Sequence, residues 1–282
     1  MNPKTIRIVN MDGVDGKASP SKASVVTSIS DVQVTREREP FIQPEDDQRL
    51  PHTGTARANI AATYDMPHGT TEGGWAARHK DKTVLQQHCE FFDTDQDGII
   101  WPLDTFRGFR RLGFNLLLSV ISVLIIHGNF SYPTVAGWLP DPFFRVYLAR
   151  IHKDKHGSDT GAYDAEGRFL PQKFEDVFAK YAPAGRDYLT LDDIWALTKG
   201  QRCIADPVGW GGAFFELYIM ASWKTSDCIE EFGDSNSIWK PGMATYIMLW
   251  PADGRMMKED IRGIYDGSIF YKIASRRAGG GK

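Results

Sequence analysis

From Leu112 to Pro140 the chain runs for 29 residues without an Asp, Glu, Lys or Arg, and no other feature restricts its possible folds so strongly. The first part, LGFNLLLSVISVLII (Leu112 to Ile126), holds 11 apolar residues in 15. As a helix it would be about 22 Å long, short of the roughly 30 Å hydrocarbon core of a bilayer. His127, Gly128 and Asn129 interrupt it, and Pro133, Pro140 and Pro142 oppose its continuation. A plain spanning helix is therefore disfavoured. Arg107, Arg110 and Arg111 precede the stretch, and Arg145, Arg150, Lys153 and Lys155 follow it. Basic residues stay on the cytoplasmic side and favour anionic headgroups. Basic flanks at both ends thus fit a helical hairpin or half-inserted helix at a cytosol-facing membrane surface. A buried core helix of the same length is the alternative.

The remaining composition narrows the class. The chain has 282 residues, with 33 Lys plus Arg against 36 Asp plus Glu, a net charge of −3. That balance excludes a nucleic-acid binder working through a global basic field. Cys89, Cys203 and Cys228 form no CxxC pair and no even disulfide framework, which predicts reduced thiols. The opening MNPKTIRIVNMDG has no apolar core of the signal-peptide kind, so secretion is not expected. Phe41 is the one aromatic residue before Tyr64, and residues 1–80 are expected to form a disordered polar tail. Residues 276–282, RRAGGGK, are expected to be a second, short tail.

Between the polar start and the uncharged stretch lies DTDQDGIIWPLD, Asp93 to Asp104. It matches a calcium loop of the EF-hand kind, in which oxygen ligands stand at positions one, three, five, seven, nine and twelve. Asp93, Asp95 and Asp97 supply the first three carboxylates, and Ile99 offers its backbone carbonyl. Gly98 allows the sharp turn, Ile100 takes the apolar strand position, and Trp101 at position nine leaves a place for water. Position twelve is Asp104, where a glutamate is usual; one methylene fewer lowers affinity or favours magnesium.

Such loops work in pairs, and three ligand-poor echoes follow. AYDAEGRFLPQKF places Gly167, Phe169 and Phe174 at the glycine, strand and helix positions. AGRDYLTLDDI places Leu189 and Ile194 at the last two. LWPADGRMMKEDI places Gly254, Met256 and Ile261. Position one is Ala162, Ala182 and Leu249 respectively, so these are expected to be structural units without a cation. The fold class expected is mostly α, built of EF-hand-like helix–loop–helix units with short paired strands.

Seven histidines remain to be placed. His52, His68 and His79 lie in or beside the polar tail and are expected to be exposed. His88 precedes the acidic loop by five residues, so an ion bound there would position it. His152 and His156 are four apart and would share a helical face, but no HExxH pattern accompanies them. His127, inside the uncharged stretch, is expected to be interfacial and hydrogen-bonded. No G-x-S-x-G elbow, Walker loop, dinucleotide fingerprint or kinase set is present.

LQQHCEFFDTDQDGIIWPLDTFRGFRRLGFN, SYPTVAGWLPDPFF, IHKDKHGSDTGAYDAEGRFLPQKFE and IYDGSIF occur in that order, and over roughly Asp81 to Tyr271 the chain resembles the caleosins, also called peroxygenases. The resemblance implies a haem-dependent oxidoreductase that moves an oxygen atom from a fatty-acid or other organic hydroperoxide to an unsaturated lipid or small heteroatom substrate. It implies His88 as the axial haem ligand, His156 as second ligand or distal helper, and calcium on Asp93, Asp95, Asp97, Ile99 and Asp104. A Cys89 thiolate is the competing iron ligand. The partner implied is a lipid monolayer or membrane surface, on a lipid droplet or a cytosol-facing membrane such as the endoplasmic reticulum. Pro133, Pro140 and Pro142 match the family's proline knot, while Ala136 stands where a further proline is common. A non-catalytic, calcium-dependent droplet coat is the alternative. The domain plan expected is a tail at 1–80, a calcium-binding unit at 81–111, a hydrophobic segment at 112–142, a helical domain at 143–275 with an insertion at 217–242, and a tail at 276–282.

Overall fold

The computed structural model describes residues 50, 52–206, 209 and 254–279. They form a mostly helical protein whose short strands join loops in pairs. A one-turn helix α1 (Trp75–Arg78) leads to α2 (Val84–Glu90). Thr83 starts α2: its hydroxyl accepts the Gln86 amide at 3.3 Å, and the Gln86 side chain accepts the Thr83 amide at 2.9 Å. Strand β1 (Ile99–Ile100) closes the acidic loop, and α3 (Pro102–Arg111) follows, with proline at a first-turn position where its missing donor costs nothing.

Helix α4 (Leu116–Thr134) is a single unbroken element, capped by Asn115, whose side chain accepts the Leu118 amide at 2.8 Å. The helical hairpin expected for this stretch is not formed. His127 does not end the helix, because both ring nitrogens are partnered: one lies 2.7 Å from the Thr105 hydroxyl and the other 2.5 Å from the Phe144 carbonyl oxygen. Pro133 falls in the last turn: its missing N–H forfeits one helix bond, but only Thr134 of the helix follows it, so little helix is left to disturb. The 19 residues span about 28 Å, so α4 is long and apolar enough to cross a membrane by length and composition. One side of it nevertheless packs on α3 and on the 3-10 helix Leu148–Asp154.

The first pair of loops is joined by β1 and β2 (Val146–Tyr147), antiparallel, with Ile100 opposite Val146. The acidic loop's partner is thus the segment between α4 and the 3-10 helix, which the echo pattern missed because only Asp141, at position three, keeps a ligand carboxylate, while Leu139, Phe143 and Arg150 stand at positions one, five and twelve. The second pair is joined by β3 (Tyr188–Leu189) and β4 (Met256–Met257), with Leu189 opposite Met256. Helices α5 (Pro171–Tyr181) and α6 (Leu191–Gln201) flank β3, and α7 (Lys258–Tyr265) follows β4; α8 (Ser268–Gly279) ends the described chain. The second and third echoes therefore pair at the residues expected. The first does not form a paired loop: Phe169 bridges Tyr163 and Arg57 instead.

Two larger cores result. Val84, Phe169, Phe174, Phe178, Leu189 and Met256 belong to one; Phe91, Leu112, Phe114, Leu118, Phe270 and Ile273 belong to the other.

Residues 52–80, expected within a disordered tail, are packed onto this body. Thr53, Ala61, Ala62, Thr63 and Trp75 are buried. Lys258 Nζ meets Asp65 at 2.6 Å and Glu175 at 2.8 Å, and Arg262 donates to Thr70 at 2.9 Å. Trp75, which donates to Gln87 at 2.9 Å, small side chains and ion pairs hold the segment, so its composition resembles that of an unfolded one. Residues 276–279, expected as tail, continue α8. The tail expectation for 1–49 and the insertion at 217–242 lie outside the described residues.

Candidate haem and cation site

The acidic loop holds its carboxylates together. Ligand oxygens of Asp93, Asp95 and Asp97 lie within 4.8 Å of one another. The turn is set by Gly98 at φ +81°, whose amide donates to Asp93 Oδ2 at 2.9 Å; the Ile99 amide donates to Asp97 Oδ1 at 2.8 Å. Asp93 is buried, and its Oδ1 has no hydrogen-bond partner. Burial and the charges of Asp97 and Asp95 push its pKa up, against the pull of the Gly98 amide. A buried, unpartnered carboxylate oxygen facing two more carboxylates fits a divalent cation. Asp104 stands apart from this cluster. Its Oδ2 accepts the Trp101 amide at 3.1 Å, capping α3, while Oδ1 lies 3.9 Å from the Arg107 guanidinium.

His88 lies on the last turns of α2, between the loop and α8. Its Nδ1 is 2.6 Å from the Ile264 carbonyl oxygen, and its ring meets Phe270 edge-on at 5.2 Å. A carbonyl only accepts, so Nδ1 carries the hydrogen and Nε2 keeps its lone pair. Burial pushes the His88 pKa below its usual value, although the carbonyl and Asp266 pull the other way. The result is a neutral imidazole whose tautomer is fixed by a backbone group, the arrangement common to metal-ligating histidines. Gly267, at φ +75°, makes it possible: a Cβ there would come within 2.6 Å of the Gln87 carbonyl oxygen and 3.0 Å of His88 Cα. The Asp266–Gly267 turn can press against α2 because it carries no side chain at that point.

The second expected histidine, His156, follows the 3-10 helix that packs on α2. Its Nδ1 is 3.2 Å from Asp206 Oδ2. His152 and His156 do not share a helical face, because the 3-10 helix ends at Asp154 and the chain turns extended at Lys155. Cys89 fares poorly as a thiolate ligand: burial, then the charge of Asp154, pushes its thiol up to about 12. Asp154 itself is pushed up to about 7 by burial. His79 was expected to be exposed and is instead buried, 2.7 Å from the Trp75 carbonyl oxygen and 3.0 Å from Glu90.

Sequence reasoning missed the groups that orient both histidines. Ile264 acts through its backbone, which leaves no trace in residue type. Asp206 lies 50 residues from His156, and no short-range spacing links them.

The outer face of α4 completes the picture. Leu118 aside, its buried residues are polar: Ser119, Ser122, His127, Ser131 and Thr134. Leu116, Leu117, Val120 and Leu124 face outward, and Trp138, Leu139, Phe143 and Phe144 extend this exposed apolar surface beyond the helix, with Trp138 80% exposed.

Paired helix–loop–strand–helix units, an acidic loop whose three carboxylates could hold a cation, and a histidine of fixed tautomer define a mostly helical protein with an outward apolar face. A family profile described as "Caleosin related protein" matches residues 80–231 and 219–274, and the chain belongs to the caleosin family. The chain is 34% identical over 263 residues to "Peroxygenase" of Lilium longiflorum, covering 93% of this chain and 97% of that protein. It is 33% identical over 199 residues to "Probable peroxygenase 4" of Arabidopsis thaliana, covering 71% and 89%. A "Probable inactive peroxygenase-like protein" of Arabidopsis thaliana is 26% identical over 177 residues, covering 61% and 70%. The enzyme class is that of the peroxygenases, a group of oxidoreductases. No solved structure matches the chain.

Proposed function

We propose that the protein is a calcium-binding haem peroxygenase working at a lipid surface. The observation that carries this reading is His88, neutral and held at Nδ1 by the Ile264 carbonyl, so that Nε2 keeps its lone pair. When bound, haem supplies the transfer of an oxygen atom from an organic hydroperoxide, such as that of a fatty acid, to an unsaturated lipid or heteroatom acceptor. The chain's part is ligation and orientation. His88 Nε2 would bind the haem iron, and His156 would serve as second ligand or helper.

Calcium is held in an EF-hand by Asp93, Asp95, Asp97, the Ile99 carbonyl and one oxygen of Asp104. The Asp93 amide donates to the Glu90 carbonyl at 3.0 Å, so the loop begins where α2 ends. An ion that orders the loop also orders the helix carrying His88. The apolar face of α4 with Trp138, Leu139, Phe143 and Phe144 meets a lipid monolayer, with the lipid droplet or a cytosol-facing endoplasmic reticulum membrane as its place. Substrates of that class dissolve in the same phase. The two profile matches overlap at 219–231, so the family pattern splits into two inside the proposed insertion at 217–242.

The second reading, a non-catalytic droplet coat, is favoured by the α4 face alone, which needs neither histidine. Haem reconstitution separates the two. A Soret band present in the parent and lost in His88→Ala, with hydroperoxide-dependent oxygen transfer in the parent only, is the expected result. A parent protein that takes up no haem while still binding lipid vesicles would replace the enzyme with the coat.

A further inference from the structure

We propose that Asp206 is a positioning residue for His156, fixing its tautomer and aiming Nε2 away from the protein toward the cofactor. The inference rests on the reading that His156 faces haem. The carboxylate is buried, with 9% of its side chain exposed, while 34% of the His156 side chain remains open. It is held on both oxygens. Oδ2 accepts the His156 Nδ1–H at 3.2 Å and the Ser158 amide at 2.8 Å; Oδ1 accepts the Gly209 amide at 2.9 Å.

Two independent features show that this cradle is built rather than incidental. First, a Cβ on Gly209 would come within 2.3 Å of Asp206 Oδ2 and 2.7 Å of His156 Nδ1, so the backbone approaches the pair as closely as a bare glycine permits. Second, the flanking loop is fastened to the histidine turn: the Cys203 amide donates to the Ser158 hydroxyl at 3.0 Å, and the Cys203 thiol to the Gly157 carbonyl at 3.1 Å.

Both Asp206 oxygens already accept backbone amides, so toward His156 the group acts as an acceptor again: Nδ1 carries the hydrogen and Nε2 presents its lone pair. The two histidines are therefore held alike in tautomer and unlike in charge. His88 gives its Nδ1–H to a neutral carbonyl, and His156 gives it to a carboxylate, which makes the His156 ring the more electron-rich of the two. A carboxylate behind an imidazole strengthens it as a ligand or as an acceptor of a proton at Nε2.

The test compares full-length parent, Asp206→Asn, Gly209→Ala and His88→Ala, refolded with calcium. Nitrogen NMR of the His156 ring, without haem, should show the Nδ1–H tautomer in the parent and a tautomer mixture in Asp206→Asn. On reconstitution, haem affinity in Asp206→Asn should fall on the order of 10- to 100-fold, with a displaced Soret maximum and unchanged calcium uptake. Gly209→Ala should show the same displaced spectrum by wedging the pair apart. An unchanged tautomer and spectrum in Asp206→Asn overturns the proposal, as does a loss confined to the melting temperature, which would make Asp206 a loop staple. A parent that takes up no haem overturns the cofactor reading itself, and the NMR result then still states whether Asp206 sets the ring.

Discussion

Two loops of this molecule have the same frame and opposite charge solutions. In loop 93–104 and in loop 182–193, the ninth residue gives its amide to the carboxylate of the twelfth: Trp101 to Asp104 at 3.1 Å, and Thr190 to Asp193 at 2.7 Å. In both, the eighth residue, Ile100 or Leu189, is buried in a two-residue strand facing a partner loop. At position five they part. Asp97 adds a third carboxylate to the first loop, whereas Arg186 places a guanidinium against Asp193 in the second. One loop gathers three carboxylates, Asp93 buried and Asp95 and Asp97 exposed, whose charge an external cation would offset. The other carries its cation covalently, on a side chain. The lesson is that the frame is maintained by apolar strand residues and the twelfth-position cap, while ion binding is an additional property of positions one, three and five.

Removing the excess charge should give the largest effect. Asp93→Asn takes away the buried oxygen without a partner, and calcium affinity is expected to fall on the order of 100-fold, read by calorimetric titration. Undiminished uptake would mean that the cation site is not this loop. Next comes Arg186→Gln, which strips the internal cation and leaves Asp193 half-compensated. Both ends are partly exposed, so the expected cost is about 1–2 kcal/mol in denaturant unfolding, with no change in calcium binding. A third change works on the shared cap: Asp104→Glu adds the methylene that lets both oxygens reach an ion, and calcium affinity should rise about tenfold. A fall instead would show that capping α3 matters more than ligation at position twelve.

The comparison also explains what could be read from the residues in advance. Leu189 and Met256 were legible as strand partners because apolar spacing survives the loss of ligands. The acidic loop was legible for the opposite reason, its ligands being present. Its own partner, between α4 and the 3-10 helix, keeps neither signal: Val146 stands in the strand position, but prolines and aromatics surround it. The incoming helix misled further. Its buried residues include Ser119, Ser122 and Thr134, whose hydroxyls donate to carbonyls of their own helix, so the polar side faces the protein and the apolar side faces out. Periodicity finds such a helix but assigns its faces wrongly. His88 was found through a motif. The carbonyl and carboxylate that orient the two histidines required the fold.

That partner loop supplies the smallest and most specific prediction. Asp141 is buried beneath exposed Pro140 and Pro142, and its carboxylate is held by Arg145 Nε at 2.7 Å, the Phe143 amide at 3.0 Å and the Tyr147 hydroxyl at 3.0 Å. The Arg145 hydrogen bond, outweighing the cost of burial and joined by the other two donors, lowers its pKa from 3.8 to about 2. The folded value lies below the unfolded one, so the folded protein resists protonation that the unfolded chain accepts. The stabilisation is complete above the ordinary carboxylate range and is lost as pH falls from there through the folded value. Thermal midpoints measured against pH should therefore drop more steeply for the parent than for Asp141→Asn in that window, by an amount corresponding to about 1 kcal/mol. The difference should persist with calcium present, because this loop, like 182–193, is held by its own arginine rather than by an ion. Parallel curves for the two proteins would show that Arg145 serves the surface aromatics Trp101 and Phe143, over which it also lies, and not the loop. An effect seen only without calcium would instead make the two halves of the first pair a single cation-dependent unit.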